Sequence, residues 1–307
     1  FIGRGEAAPS IRYGESSELL LSVLENGIQV PENYKSREHL WGFLKPQLRN
    51  ITSLEAAVNM AIWDWRGQKE NKAVHDILGF NVSKLPATSY TIAIGDMSEL
   101  DEKIELSNPY SIIKVKLGTP NDDKEIISQI RQRTDKLIRV DANEGWSLDN
   151  AKEMSYWLAD RNVEFIEQPF KAKMLNETRS LKEFSPLPLF ADENSIVSSD
   201  VSKIADCFDG INIKLMKCGG LDEALKMIEI AKHFDMQIML GCMVESSVGI
   251  TAAAQLASEA VAVDLDGNLL IDNDPYKGVE VMEGRLHLSP NNYGMGVSLL
   301  KQEEGLL

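Results

Sequence analysis

The 307-residue chain is 43% hydrophobic, enough to bury a barrel-sized core with a smaller layer beside it, and its 32 Lys+Arg against 47 Asp+Glu give a formal charge of −15. That charge repels polyphosphate and leaves no basic patch, which argues against nucleic-acid binding. Three cysteines without a CxxC pair (Cys207, Cys218, Cys242) and no apolar run near the ~20 residues of a membrane span argue against a disulfide framework, a zinc knuckle or a membrane role, and favour the cytoplasm.

The opening Phe1-Ile2-Gly3-Arg4-Gly5-Glu6-Ala7 reads as the end of a strand entering a loop, and the absence of an initiating Met suggests further residues upstream. Ser53-Leu54-Glu55-Ala56-Ala57 opens a helix running towards Gly67, with Met60, Ala61, Trp63 and Asp64 spaced for one buried face. Trp41, Phe43 and Leu44 in this outer layer suit either a subunit contact of a homo-oligomer or the core. From about Ser89 to Gly267, short β-rich runs alternate with amphipathic stretches such as Asp122–Arg133 and Leu221–Phe234. The runs are Tyr90–Ile94, Ser111–Leu117, Ile138–Ala142, Glu164–Glu167, Leu189–Ala191, Gly210–Leu215, Gln237–Leu240 and Val261–Leu265, eight βα-type strands that suggest a closed α/β barrel. A doubly wound open sheet is the alternative, but none of the strand ends carries a Gly-rich phosphate loop. After Leu270, Pro275, Gly278, Gly284, Pro290, Gly294 and Gly296 break the pattern and suggest a return to the outer layer.

The chemistry-bearing residues gather at the C-terminal ends of these strands, where barrel enzymes build their sites. In Ile112-Ile113-Lys114-Val115-Lys116-Leu117, period-two geometry turns Lys114 and Lys116 to one face, either into the barrel or, on an edge strand, towards solvent. Asp141, Glu167 (followed by Gln168-Pro169) and Asp192 (followed by Glu193-Asn194) each end a strand. Three converging carboxylates require a hard divalent cation, and all-oxygen ligation suits Mg2+; helix capping is the plainer alternative for each aspartate taken singly. Lys214 lies on a strand buried on both faces, four strands from Lys116, so the two would face each other; a metal and other lysines nearby would lower its pKa. Lys217 reads as a solvated loop residue. Asp264 and Asp266 share one face at the barrel mouth, surplus to the metal, and call for a cationic substrate group such as an ammonium; a turn is the alternative for Asp266.

This set resembles the enolase superfamily, and within it the muconate-lactonising subgroup, over essentially the whole chain. The resemblance rests on Lys114-Val115-Lys116, Asp141, Glu167-Gln168-Pro169, Asp192-Glu193-Asn194 and Lys214 before Cys218-Gly219-Gly220, and the Asp264-x-Asp266 pair is similar to the feature that marks its dipeptide epimerases. It implies a modified TIM barrel, (β/α)7β, over residues 87–269, with an α+β capping domain from residues 1–86 and the segment 270–307. It implies one Mg2+ held by Asp141, Glu167 and Asp192, Lys116 and Lys214 as the acid/base pair acting from opposite faces, and Lys114 stabilising an enediolate. A dipeptide's ammonium would meet Asp264 and Asp266, with Thr91, Cys242, Met243 and Val244 lining the site and the loop near Ala8–Tyr13 adding specificity. Glu245 is expected either behind the site or at a helix N-terminus. N-acylamino acid racemisation, o-succinylbenzoate synthesis and cycloisomerisation use the same lysines and carboxylates, and a catalytically silent barrel is the reading from another class.

Overall fold

Short runs of β-branched and aromatic residues, apolar on both faces, are what a parallel sheet covered by helices demands. In the computed structural model, which describes residues 1–83, 85–93, 97–119, 122–289 and 292–300, they form β1 (Tyr90–Ile92), β2 (Ile112–Lys116), β3 (Leu137–Asp141), β4 (Val163–Glu167), β5 (Leu189–Ala191), β6 (Gly210–Lys214), β7 (Gln237–Gly241) and β8 (Ala262–Asp264). The strands pair in sequence order, every neighbour parallel, and the two ends of the sheet meet at a parallel bridge between Thr88 and Val263. The sheet is therefore a nearly closed barrel. Boundaries differ from the sequence expectation by a residue or two, and Ile94 lies outside the described residues.

Four helices precede the barrel: α1 (Ser17–Glu25), α2 (Arg37–Leu44), α3 (Thr52–Glu70) and α4 (Val74–Leu78). Strands β1 to β5 are followed in turn by α5 (Leu100–Leu106), α6 (Asp123–Arg131), α7 (Leu148–Ala159), α8 (Leu175–Phe184) and α9 (Ser198–Ile204). After β6 come α10 (Leu215–Cys218) and α11 (Leu221–His233), and after β7 α12 (Ser247–Ala254). Among the described residues, the helical element after β8 is a short 3-10 turn, Gly267–Leu270, which makes the barrel (β/α)7β.

Inside the barrel Phe165, Phe190, Met239 and Ala262 form an apolar layer, with the two phenyl rings 4.3 Å apart. Gly210 is small because a Cβ there would lie 2.4 Å from the Phe190 ring. The buried Arg139 is satisfied by Glu164 Oε2 at 2.7 Å and Val263 O at 2.8 Å. The lower barrel is thus filled, and the polar inward side chains lie towards the C-terminal strand ends.

The outer layer is fastened by side chains. Glu15 caps α3, accepting from Thr52 Oγ1 at 2.9 Å and Ser53 N at 3.3 Å. Asp222, in the first turn of α11, accepts from Asn59 Nδ2 and Trp63 Nε1 of α3, each at 2.9 Å, and from Arg37 of α2 at 2.6 Å. The tail comes back to α3, where Met295 N donates to Asp64 Oδ1 at 2.8 Å. The opening residues are not a strand: they run irregularly along α3, where a Cβ at Gly3 or Gly5 would come within 2.0 Å or 1.8 Å of the carbonyl oxygens of Ala61 and Ala57. Of the three apolar positions left open, Leu44 is buried, Trp41 half-buried and Phe43 exposed. Among the described residues, no helix is long and apolar enough to cross a membrane.

Candidate active site

Strands β3, β4 and β5 are neighbours, so their tips deliver Asp141, Glu167 and Asp192 side by side. All three are buried, and one oxygen of each lies within 4.8 Å of the others. Burial drives the Glu167 pKa upward; Lys114 opposes this, and Asp141 and Asp192 add to it. Burial pushes Asp192 the same way, but Lys214 and Lys217 overcome it and hold Asp192 below the usual carboxylate range. Glu167 Oε2 is buried and accepts no hydrogen bond, its contact being an ion pair with Lys114 Nζ at 2.7 Å. Three buried carboxylates with oxygens this close together fit a divalent cation of the magnesium type.

Both β2 lysines turn inward. Lys114 is enclosed by Glu167, Asp264 Oδ2 at 2.8 Å and Asp141 Oδ2 at 3.6 Å. Burial opposes its charge, yet Asp264, Glu167 and Asp141 raise its pKa. Lys116, whose side chain is 39% exposed, stands at the mouth 3.5 Å from Asp141 Oδ2. Lys214, on β6, donates to Asp192 Oδ2 at 2.8 Å. Burial acts downward on its pKa, but Asp192, within hydrogen-bond reach, raises it further than Lys114 lowers it; the lowering expected from the sequence belongs to the metal-loaded site. For Lys217 the expectation of a solvated loop residue is corrected. It is wholly buried, because β6 runs directly into the single turn of α10, which Gly219 (φ 90°) and Gly220 (φ 112°) end. Its Nζ bonds an Asp192 side-chain oxygen, Asp192 O at 2.6 Å and Asn212 O at 3.1 Å, and burial lowers its pKa despite Asp192.

On β8, Asp264 is held by Lys114, by Ser89 Oγ at 2.7 Å and by Thr91 Oγ1 at 3.4 Å. Burial raises its pKa, but Lys114 more than reverses that. Asp266 accepts from Thr91 N at 2.7 Å and has no ion-pair partner among the described residues; burial, then Asp264, pushes its pKa up to about 6. The pair is therefore not two surplus anions: Lys114 offsets one of them. At the tip of β7, Cys242 Sγ reaches Asp264 O at 3.3 Å, Met243 is half-buried and Val244 exposed. Glu245 lies behind them, accepting from Met243 N at 2.8 Å, and burial followed by Glu6 pushes its pKa up to about 8.

A sequence profile described as enolase C-terminal domain-like matches residues 98–303. The chain belongs to this family, among its dipeptide epimerases. The L-Ala-D/L-Glu epimerase of Bacteroides thetaiotaomicron is 39% identical over 94% of this chain and 76% of its own length. The L-Ala-D/L-amino acid epimerase of Flavobacterium johnsoniae is 35% identical over 98% of this chain and 89% of its own. The fold superposes with a TM-score of 0.90 on the dipeptide epimerase of Cytophaga hutchinsonii complexed with Mg and D-Ala-L-Val, which is 26% identical over 99% of this chain and 86% of that one.

Within this enolase-type barrel, sequence reasoning overlooked several residues around the carboxylates. Gln168 is buried at φ 37° and ties two strand tips together, accepting from Asp192 N at 3.0 Å and donating to Asn194 Oδ1 at 2.7 Å. Asn212 donates to Glu167 Oε1 at 2.6 Å; its place two residues before Lys214 was the available signal, because period two turns both inward. From the Ala8–Tyr13 segment that the sequence placed near the site, Arg12 spans the mouth, bonding Glu144 and lying 3.4 Å from Glu193 Oε1. Next to it, the Tyr13 phenol is pushed upward by burial and by Asp192 and Glu193.

Proposed function

We propose that this chain is a magnesium-dependent dipeptide epimerase that inverts the α-carbon of a dipeptide's C-terminal residue. The observation that carries the proposal is a buried oxygen trio flanked by Lys116 on β2 and Lys214 on β6, strands four apart in an eight-stranded barrel. The relatives support the dipeptide class, since the Bacteroides and Flavobacterium proteins are named as epimerases of L-Ala dipeptides and the Cytophaga enzyme holds Mg with a dipeptide. We read residues 87–269 as the catalytic barrel, with residues 1–86 and 270–307 as its cap, and place the enzyme in the cytoplasm, which suits free buried thiols such as Cys207 and Cys218.

Asp141, Glu167 and Asp192 would hold the ion. Magnesium bound there would supply divalent charge against the substrate carboxylate and so acidify the adjacent C–H. One of Lys116 and Lys214, in its neutral form, takes the α-proton: the C–H bond breaks, an N–H bond forms, and the electron pair moves into the carboxylate as an enediolate. Lys114, fixed by Asp264 and Glu167, stands as a permanent cation against that charge. The opposite lysine, protonated, returns a proton to the other face, and the roles exchange for the other epimer. Asp266, with Asp264, would receive the substrate ammonium. Thr91 fixes Asp266 through its backbone N–H, and Cys242, Met243 and Val244 would border the side-chain space.

Incubation of L,L-dipeptides with the protein, followed by chiral chromatography of the hydrolysed product, tests this directly. The expected result is a D residue at the C-terminal position only, abolished by EDTA and restored by Mg2+. Turnover of N-acylamino acids with no dipeptide inverted would overturn the substrate assignment.

A further inference from the structure

The barrel interior contains one amide that packing does not require. Asn212 is wholly buried on β6, the next inward position after Gly210, which touches the apolar layer at Phe190. Its Nδ2 donates to Glu167 Oε1 at 2.6 Å, while its Oδ1 is buried without a hydrogen-bond partner. A side chain kept only to fill space would be better replaced by an apolar one of similar volume, since the unmet oxygen is a cost. The neighbouring strand makes room for it: a Cβ on Gly241 would lie 2.6 Å from Asn212 Oδ1 and 2.8 Å from Nδ2. The main chain of the same residue serves the second carboxylate. Asn212 O accepts from Lys217 Nζ at 3.1 Å, and the same ammonium donates to Asp192 O at 2.6 Å; the Ser195 hydroxyl, with one proton to give, lies 3.1 Å from Asn212 O and 3.4 Å from Asp192 O.

We propose that Asn212 is a positioning residue for the metal site, an inference that rests on the magnesium reading above. By donating to Oε1 it fixes the rotation of the Glu167 carboxylate, whose Oε2 carries the Lys114 ion pair at 2.7 Å. Through its carbonyl it joins the lysine and serine that hold the Asp192 loop, so one residue sets two of the three ligands relative to each other. Partners that orient a ligating side chain in this way typically change metal affinity by about 10- to 100-fold when removed.

Calorimetric titration of Mg2+ into EDTA-stripped protein tests the proposal, with the parent chain, Asn212→Leu, Asn212→Ser and Gly241→Ala compared. Each variant is expected to bind Mg2+ about 10- to 100-fold more weakly. The Mg2+ concentration for half-maximal activity should rise by the same factor, while KM for dipeptide at saturating Mg2+ stays unchanged. Far-UV circular dichroism of each metal-free variant establishes that it is folded before its affinity is read. Asn212→Ser is too short to reach Glu167 without overfilling the barrel, and Gly241→Ala displaces the amide from another strand, so the test does not depend on one variant folding. Undiminished Mg2+ affinity in a folded Asn212 variant overturns the positioning role alone. A parent chain that takes up no Mg2+ overturns the magnesium reading and this inference with it.

Discussion

Lys217→Met replaces a wholly buried ammonium by an apolar side chain of similar length and leaves Asp192 with Lys214 as its remaining ion-pair partner. Removing one partner of a buried ion pair costs about 3–5 kcal/mol when the other charge is stranded. The retained Lys214 contact at 2.8 Å places this case at the lower end. The carbonyls lose less, because Ser195 Oγ still donates to Asn212 O at 3.1 Å. A loss of about 3 kcal/mol corresponds to a fall in Tm of about 5 °C for a chain of this size. Thermal unfolding followed by circular dichroism in EDTA measures it. A solvated surface lysine would instead change stability by no more than about 0.5 kcal/mol, so a Tm within about 1 °C of the parent would refute the buried-clamp account.

Lys116→Ala and Lys214→Ala should each reduce epimerisation by about 10²- to 10⁴-fold. Each should still exchange the α-proton of one epimer, and the two variants should differ in which; loss of all exchange in both contradicts opposite-face action. Because burial and Asp264 push the Asp266 pKa up to about 6, its negative charge is present only above that pH. KM for a dipeptide should therefore rise as pH falls through about 6 and be nearly flat above it, a dependence that Asp266→Asn should remove. Glu245, pushed up to about 8, stays protonated in the folded chain at pH values where the unfolded chain has released that proton. Its contribution to stability therefore falls as pH rises from the ordinary glutamate value towards 8. Glu245→Gln keeps the acceptor for Met243 N and cannot ionise, so its Tm should gain on the parent between pH 5 and pH 8; a constant difference would contradict the assignment.

The carboxylates and β2 lysines were legible in the sequence because parallel strands buried on both faces are apolar almost throughout, so a charged residue at a strand tip stands out. Lys217 was not, because the turn after β6 is a single helical turn that folds the side chain back beneath Asp192, and sequence spacing carries no signal for that reversal. Nor was the Lys114–Asp264 pair, which exists only once the barrel closes and brings β8 round to β2, 150 residues apart in the chain. The same closure gives one of the two apparently surplus aspartates a lysine partner and leaves the other, among the described residues, without an ion pair. Arg12 reaches Glu144 and Glu193 across the mouth from the short 3-10 turn Ile11–Tyr13, and local sequence cannot anticipate such a contact. The strand parity that located Lys214 also located Asn212, but an inward amide without charge reads as filler until its hydrogen bond to Glu167 is seen.

The most direct test of the account is proton NMR of a dipeptide in deuterium oxide, following the α-protons of both residues with the protein, with and without Mg2+. The account predicts Mg2+-dependent deuterium entry at the C-terminal α-carbon, accompanied by the diastereomer's signals, with the N-terminal α-proton untouched. Inversion without solvent deuterium in the product, or exchange that persists in EDTA, would contradict it.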